Sequence, residues 1–117
     1  GPFHSPLMQP ARNALAQAVE RVTFRDAKVP VYTNVDAAPT TAASDFRRKL
    51  LEQLTGSVRW EDTIQQMVAD GVGRFVELGS GKVLNGLIKK IAPSAELAAA
   101  GDPESFSALL GQAKAAS

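Results

Sequence analysis

Cysteine is missing from this sequence of 117 residues, and histidine occurs once. Without cysteine the chain has no disulfide, no thiolate nucleophile and no thiolate metal ligand, and a single histidine excludes a multi-histidine zinc site. We therefore expect no metal and no other cofactor. A cytoplasmic setting, where disulfides are rare, fits this composition.

Long apolar runs and an excess of one charge are also missing. No stretch is apolar over the roughly 20 residues that a membrane span needs, and the net charge is only +1. The first residues carry neither the basic nor the apolar region of a signal peptide. We expect one domain at most, with neither a membrane nor a nucleic acid as partner.

Helical and strand patterns alternate along the chain. Apolar residues recur at helical spacing from Leu7 to Val22, and Pro10 delays the regular helix to near Gln9. The β-branched run Val29 to Val35 predicts a strand, and Asp36 to Thr41 predicts a loop. Further patterns predict helices around 46–54 and 60–68, a strand at 74–78, a glycine turn at 79–81, a helix over 83–91, a strand at 96–100 and a last helix from 103.

Strands separated by helices predict an α/β fold in which short parallel strands are flanked by helices. Three strands are few for a parallel sheet of this kind. The pattern therefore indicates that partner strands lie in residues outside this sequence.

His4 stands just ahead of the first helix and is a candidate general base, because imidazole titrates near neutral pH. A surface or capping histidine is the alternative, and composition does not choose between them.

The Gly79-Ser80-Gly81 turn matches neither of two catalytic motifs. Val76 stands where a phosphate-binding loop needs glycine, and Leu78 stands where a nucleophile elbow needs glycine. The residues predict a tight turn, with anion binding by its N–H groups as a lesser alternative.

Four segments together carry a resemblance to a known family. They occur in the same order and spacing as landmarks of the malonyl-CoA:acyl-carrier-protein transacylases, and the resemblance covers nearly the whole chain. The segments are Phe3-His4-Ser5-Pro6-Leu7-Met8, Val29-Pro30-Val31 with Thr33-Asn34-Val35, Gln53-Leu54 with Val58-Arg59-Trp60, and Phe75 to Leu84.

What these segments resemble is only the C-terminal part of such an enzyme. The resemblance implies that residues 1–117 form the C-terminal portion of an acyltransferase domain, within its α/β-hydrolase-like large subdomain. The serine nucleophile, the malonate-binding arginine, the oxyanion-hole segment and the ferredoxin-like subdomain would all precede residue 1. We therefore expect the chain to be inactive alone.

The resemblance also implies roles for individual residues. His4 matches the base that takes the proton of the serine and later that of the carrier-protein thiol, and the backbone carbonyl of Gln53 matches its orienting partner, with the Gln53 side chain incidental. Phe3 is the residue type that related acyltransferases accepting malonyl tend to carry, and Asn34 matches a position near the site. Ser80 stands where the family more often has proline.

Malonyl-CoA and acyl carrier protein are the partners that the resemblance implies. Lys89 and Lys90 lie in the last turn of a predicted helix, where cations complement the helix dipole. They are also candidates for docking the acidic carrier protein. Two alternatives stay open: a free-standing small α/β module that binds an acidic or phosphorylated partner, and an acyltransferase piece of a polyketide synthase.

Overall fold

The computed structural model describes residues 1–116. The chain forms two compact units, one of Gly1–Gln66 and one that begins at Met67. The elements in chain order are a 3-10 turn at Pro6–Met8, α1 (Gln9–Glu20), β1 (Val31–Tyr32), β2 (Pro39–Thr40), α2 (Ala43–Thr55), α3 (Trp60–Ala69), β3 (Arg74–Leu78), α4 (Val83–Ile91), β4 (Glu96–Ala100) and α5 (Pro103–Ala116).

The start of the first helix is irregular, as its prolines predict. One 3-10 turn precedes α1, which begins at Gln9. Pro10 then falls in the first turn of α1, where its missing N–H needs no helical partner. The Ser5 hydroxyl donates a hydrogen bond back to the carbonyl of Pro2, so it braces the segment around His4.

The first strand differs from its prediction. It spans only two residues, and it pairs antiparallel with β2, with Val31 opposite Thr40. The prediction of parallel pairing is therefore wrong for this strand. Part of the predicted loop from Asp36 to Thr41 forms strand β2. The small residues of that loop carry no strand pattern, and Thr40 is fixed instead by a tertiary contact to Lys49 of α2.

Helix α2 has defined ends. The carboxylate of Asp26 accepts the N–H of Ala43 at 2.8 Å, which supplies a donor partner at the first turn. At the other end the Gly56 N–H bonds to the carbonyl of Glu52 at 2.8 Å, in agreement with the predicted termination. Arg12 of α1 donates to the Leu51 carbonyl at 3.4 Å, which links the two helices.

In the unit that begins at Met67, β3 and β4 pair in parallel, with Arg74 opposite Glu96 and Leu78 opposite Ala100. Both strands have their predicted bounds, and α4 lies between them in the chain. Phe75 of β3 and Ile88 of α4 are buried. The predicted α/β class with short parallel strands is confirmed here.

The glycine turn between β3 and α4 needs unusual backbone angles, since φ is +123° at Gly79 and +86° at Gly81. The buried carboxylate of Glu77 crosses this turn. It accepts the N–H groups of Leu84 at 3.1 Å and Asn85 at 3.0 Å, which are orphan donors of the first turn of α4. The strand, the turn and the helix are thereby tied together.

Helix α5 begins with the cap that its sequence predicts. A carboxylate oxygen of Asp102 accepts the N–H of Ser105 at 2.7 Å. This backbone bond, together with the Ser105 hydroxyl, holds the pKa of Asp102 below its ordinary value.

Candidate functional site

His4 has a backbone conformation that is uncommon for a residue with a side chain. Its φ is +58°, in the left-handed region, and its side chain is half-buried. Residues held in this way are concentrated at functional sites, where the surrounding structure maintains the strain. The turn before α1 therefore gives His4 a fixed direction.

The imidazole ring of His4 contacts the end of α2. Its Nδ1 atom lies 2.8 Å from the carbonyl oxygen of Gln53. A carbonyl can only accept a hydrogen bond, so Nδ1 is the donor, and in the neutral form of the ring the lone pair lies on Nε2. This is the arrangement that a general base needs.

Gln53 can offer its carbonyl because of where α2 ends. The helix stops at Thr55, so Gln53 is within the last four residues, whose carbonyls have no partner inside the helix. His4 supplies that partner across 49 positions of sequence. The expected contact between these two residues is present, and their catalytic roles remain predictions.

Asn34 lies beside Gln53, and its backbone is held on both sides. Its N–H donates to Oε1 of Gln53 at 3.5 Å, and its carbonyl accepts the N–H of Arg59 at 2.9 Å. The Gln53 side chain, expected to be incidental, thus has a partner of its own. The structure brings His4, Gln53 and Asn34 together.

An ion pair between the buried Lys49 and the partly exposed Asp36 lies close to these residues in the chain, and sequence reasoning missed it. Lys49 Nζ lies 2.6 Å from Asp36 Oδ2 and also donates to the hydroxyl of Thr40. Partial burial would raise the pKa of Asp36, but the hydrogen bond and charge of Lys49, with the Ala38 N–H, hold that pKa below its ordinary value. The available signal was spacing, because Lys49 stands four residues before Gln53 on the same helix.

Known proteins match this chain over most of its length. It is 44% identical to the malonyl CoA-acyl carrier protein transacylase of Bacillus subtilis (strain 168) over 106 residues, which are 91% of this chain and 33% of that protein. An acyl-carrier-protein-S-malonyltransferase from Bartonella henselae superposes with a TM-score of 0.86 at 40% identity, over 93% of this chain and 35% of that one. The chain is therefore similar to the C-terminal part of these transacylases.

Other solved transacylases agree with this match. The acyl carrier protein S-malonyltransferase from Vibrio cholerae has a TM-score of 0.84 and 38% identity, and covers 92% of this chain and 35% of that chain. A malonyl-transacylase solved in complex with a type II PKS acyl-carrier protein has a TM-score of 0.84 and 36% identity, over 94% of this chain and 36% of that one. No family model matches the chain.

The chain spans about a third of the length of the curated transacylases that it matches. The resemblance found in the sequence, including its restriction to a C-terminal part, is confirmed. Each of these relatives is named a malonyl CoA-acyl carrier protein transacylase, which is an acyltransferase.

The remaining residues suggested by the transacylase resemblance are exposed to solvent. Phe3 precedes His4 and is 65% exposed. Lys89 and Lys90 are exposed in the last turn of α4, in the unit that begins at Met67. Their proposed substrate and carrier contacts stay predictions.

The glycine turn does not offer the anion site considered from the sequence. Two N–H groups in the first turn of α4 already bind the Glu77 carboxylate, and its negative charge opposes another anion there. A structural role for the turn therefore fits best.

Residues 1–116 also bear on a metal site and on a membrane span. Within this range no group of three or more His, Asp or Glu residues could hold a metal ion. Over the same residues each helix is too short or too polar to cross a bilayer.

Proposed function

We propose that this chain is the C-terminal part of a malonyl-CoA:acyl-carrier-protein transacylase and supplies its histidine base. The remaining two thirds of such an enzyme, with the serine nucleophile, would belong to the same protein. The observation that carries the proposal is the hydrogen bond from His4 Nδ1 to the Gln53 carbonyl, which leaves Nε2 available as a base. The similarity to transacylases over most of the chain supports it.

The proposed reaction is a ping-pong acyl transfer. His4 Nε2 takes the serine proton as the hydroxyl attacks the malonyl thioester, and the seryl ester forms as coenzyme A leaves with a proton. His4 then takes the proton of the phosphopantetheine thiol, which attacks the ester, and gives that proton to the serine oxygen as the seryl ester breaks. The Gln53 carbonyl stabilises the imidazolium that forms in each step, as a carboxylate does in a serine protease.

Four further residues have proposed roles in binding the substrates: Phe3, Asn34, Lys89 and Lys90. Phe3 precedes the base and would contribute to the choice of malonyl, while the contacts of Asn34 keep that residue next to Gln53. The two lysines would meet the acidic carrier protein by charge complementarity. The cytoplasmic location expected from the composition stays a prediction.

The test is to replace His4 in the full-length protein that contains this chain. We use His4→Asn, because asparagine tolerates the left-handed backbone that His4 adopts. Loss of a general base should lower the rate of malonyl transfer by about 100-fold to 10,000-fold. Transfer is followed by the mass of the carrier protein.

Ser80→Ala is the matched control, since Ser80 is exposed in the glycine turn and has no proposed part in the chemistry. Its rate should equal that of the unaltered protein. A His4→Asn variant that keeps its rate within about threefold would contradict the proposed base. A source protein no longer than this chain would favour the small binding module instead.

A second candidate function concerns the acceptor. The similarity to a malonyl-transacylase solved with a type II PKS acyl-carrier protein makes a polyketide carrier the alternative to a fatty-acid carrier. The ratio of kcat/KM for the two carriers, measured with the same full-length protein, decides between them.

A further inference from the structure

Lys49 is a charged residue buried in α2, with only 5% of its surface exposed. Burying an ammonium group is costly unless charged and polar partners surround it. Its Nζ atom has two such partners, the Asp36 carboxylate at 2.6 Å and the Thr40 hydroxyl. Both belong to the segment between β1 and α2.

Lys49 and Gln53 are four residues apart on α2 and therefore share one face of the helix. Both hold the same segment, since Lys49 binds Asp36 and the Gln53 side chain binds the N–H of Asn34. The segment is thus attached to one turn of the helix at two points. The second point is the residue whose carbonyl orients His4.

The segment has little freedom between these points. The other carboxylate oxygen of Asp36 accepts the N–H of Ala38 at 3.3 Å and the hydroxyl of Thr33 at 3.5 Å. Ala37 is buried with φ at +53°, a conformation that a non-glycine residue keeps only when its surroundings impose it. Only Val35 separates Asp36 from Asn34 in the chain, so a displacement of Asp36 is passed to Asn34.

We propose that Lys49 is a positioning residue. It anchors Asp36, and this keeps the Asn34 backbone hydrogen-bonded to the Gln53 side chain, next to the Gln53 carbonyl that orients His4. This inference rests on the proposed function for its kinetic readout. Its spectroscopic readout depends only on the geometry, so the inference on Lys49 and the proposed function can fail independently.

The kinetic experiment compares variants of the full-length protein. Lys49→Met removes the charge at nearly constant length, and Asp36→Asn removes the opposite charge from a side chain that is 38% exposed. Misplacement of the site should lower kcat/KM by about 10-fold to 100-fold in each variant. The double variant should lose no more than the worse single variant, because both break one contact.

Arg48→Met is the matched control. Arg48 adjoins Lys49 on α2, and its ion pairs with Asp45 and Glu52 lie at the surface. Its kcat/KM should stay within about twofold of the unaltered value. All rates are measured well below the unfolding temperature, with the folded fraction checked by circular dichroism.

The spectroscopic experiment follows the His4 Nδ1–H proton by NMR in protein labelled with ¹⁵N-histidine, assigned with His4→Asn. In the unaltered protein and in Arg48→Met this proton should exchange slowly with water. In Lys49→Met and Asp36→Asn the exchange should be faster. This readout needs no malonyl transfer.

Together the two experiments distinguish a positioning role of Lys49 from a purely structural one. Lower kcat/KM with faster exchange supports positioning by Lys49. If both variants only lower the unfolding temperature and keep normal rates and exchange, the ion pair is purely structural and the inference is wrong. If the unaltered protein transfers no malonyl, the proposed function fails while the exchange measurement still decides the role of Lys49. Should Lys49→Met not fold, the milder Asp36→Asn decides.

Discussion

His4 combines two constraints on a single residue. Its backbone lies in the left-handed region, and its ring is hydrogen-bonded to Gln53. A left-handed backbone costs an ordinary residue about 1–2 kcal/mol. At a purely structural surface position this conformational cost would bring no benefit. The two constraints therefore favour the interpretation of His4 as a general base over a surface or capping role.

Glu77 is the second residue with a specific local task, and it leads to a prediction on stability. Its carboxylate binds two N–H groups at the positive end of the α4 dipole. Glu77→Ala should lower the free energy of unfolding by about 1–2 kcal/mol, as loss of a helix cap does. Urea denaturation of the full-length protein measures the change.

Glu96→Ala is the control for this prediction. Glu96 lies on the neighbouring strand β4, and its side chain is 72% exposed in a surface pair with Arg74. Its removal should change the free energy of unfolding by no more than about 0.5 kcal/mol. Equal effects of the two substitutions would mean that the Glu77 bonds do not hold α4.

Among the elements, the β3–α4–β4 unit was predictable in full from the sequence. The apolar stripe of α4 has helical spacing, and glycines and a proline bound it on either side. Local signals of this kind need no knowledge of the rest of the chain. The parallel pairing also follows, because a helix connects the two strands.

The β1–β2 pair was not predictable in the same way. Pro39 and Thr40 belong to a run of small residues without alternation, so nothing local indicates a strand. Their strand conformation is defined by the pairing with β1, and Lys49, which is 9 positions from Thr40 along the chain, donates to the Thr40 hydroxyl. Neither contact can be read from the local sequence.

The candidate site was predictable only in part. Family resemblance pointed to His4 and Gln53, since no periodicity or motif joins two residues 49 positions apart. Lys49 stands four residues before Gln53 on α2, and this spacing places both side chains on one face of the helix. Its partner Asp36 lies in a predicted loop, so sequence alone could not identify the pair.

Helix α4 carries a prediction on carrier binding. Lys89 and Lys90 are exposed in its last turn. If they meet the acidic carrier protein, changing both to glutamate should raise the carrier KM of the full-length enzyme by about fivefold and leave the KM for malonyl-CoA unchanged.

Lys28→Glu serves as the control, because Lys28 is also exposed but has no proposed contact. It should leave the carrier KM unaltered. An unchanged carrier KM in the double variant would remove α4 from the docking surface.

At the scale of the molecule, both units expose large apolar side chains. Leu7 and Val29 are exposed in the first unit, and Leu78 and Val83 in the second. Scattered apolar side chains are normal on a protein surface, so these residues by themselves do not identify a contact with further protein.

The isolated chain provides the prediction at this scale. Incubated with malonyl-CoA and carrier protein, residues 1–117 should give no malonyl transfer and no covalent adduct, because the proposed serine nucleophile is not among them. Mass spectrometry of both proteins measures the result. A malonyl adduct on Ser5 or Ser80 would overturn the proposal that this chain supplies only the base.

The burial of Lys49 has a chemical consequence for a protein proposed to work with thioesters. Thioesters slowly acylate free amines without any enzyme, and exposed lysines such as Lys89 are open to that damage. The Lys49 amine is closed off by Asp36 and Thr40. As an ammonium group in that ion pair, its nitrogen has no lone pair with which to attack the reactive compound that the full enzyme would handle at every turnover.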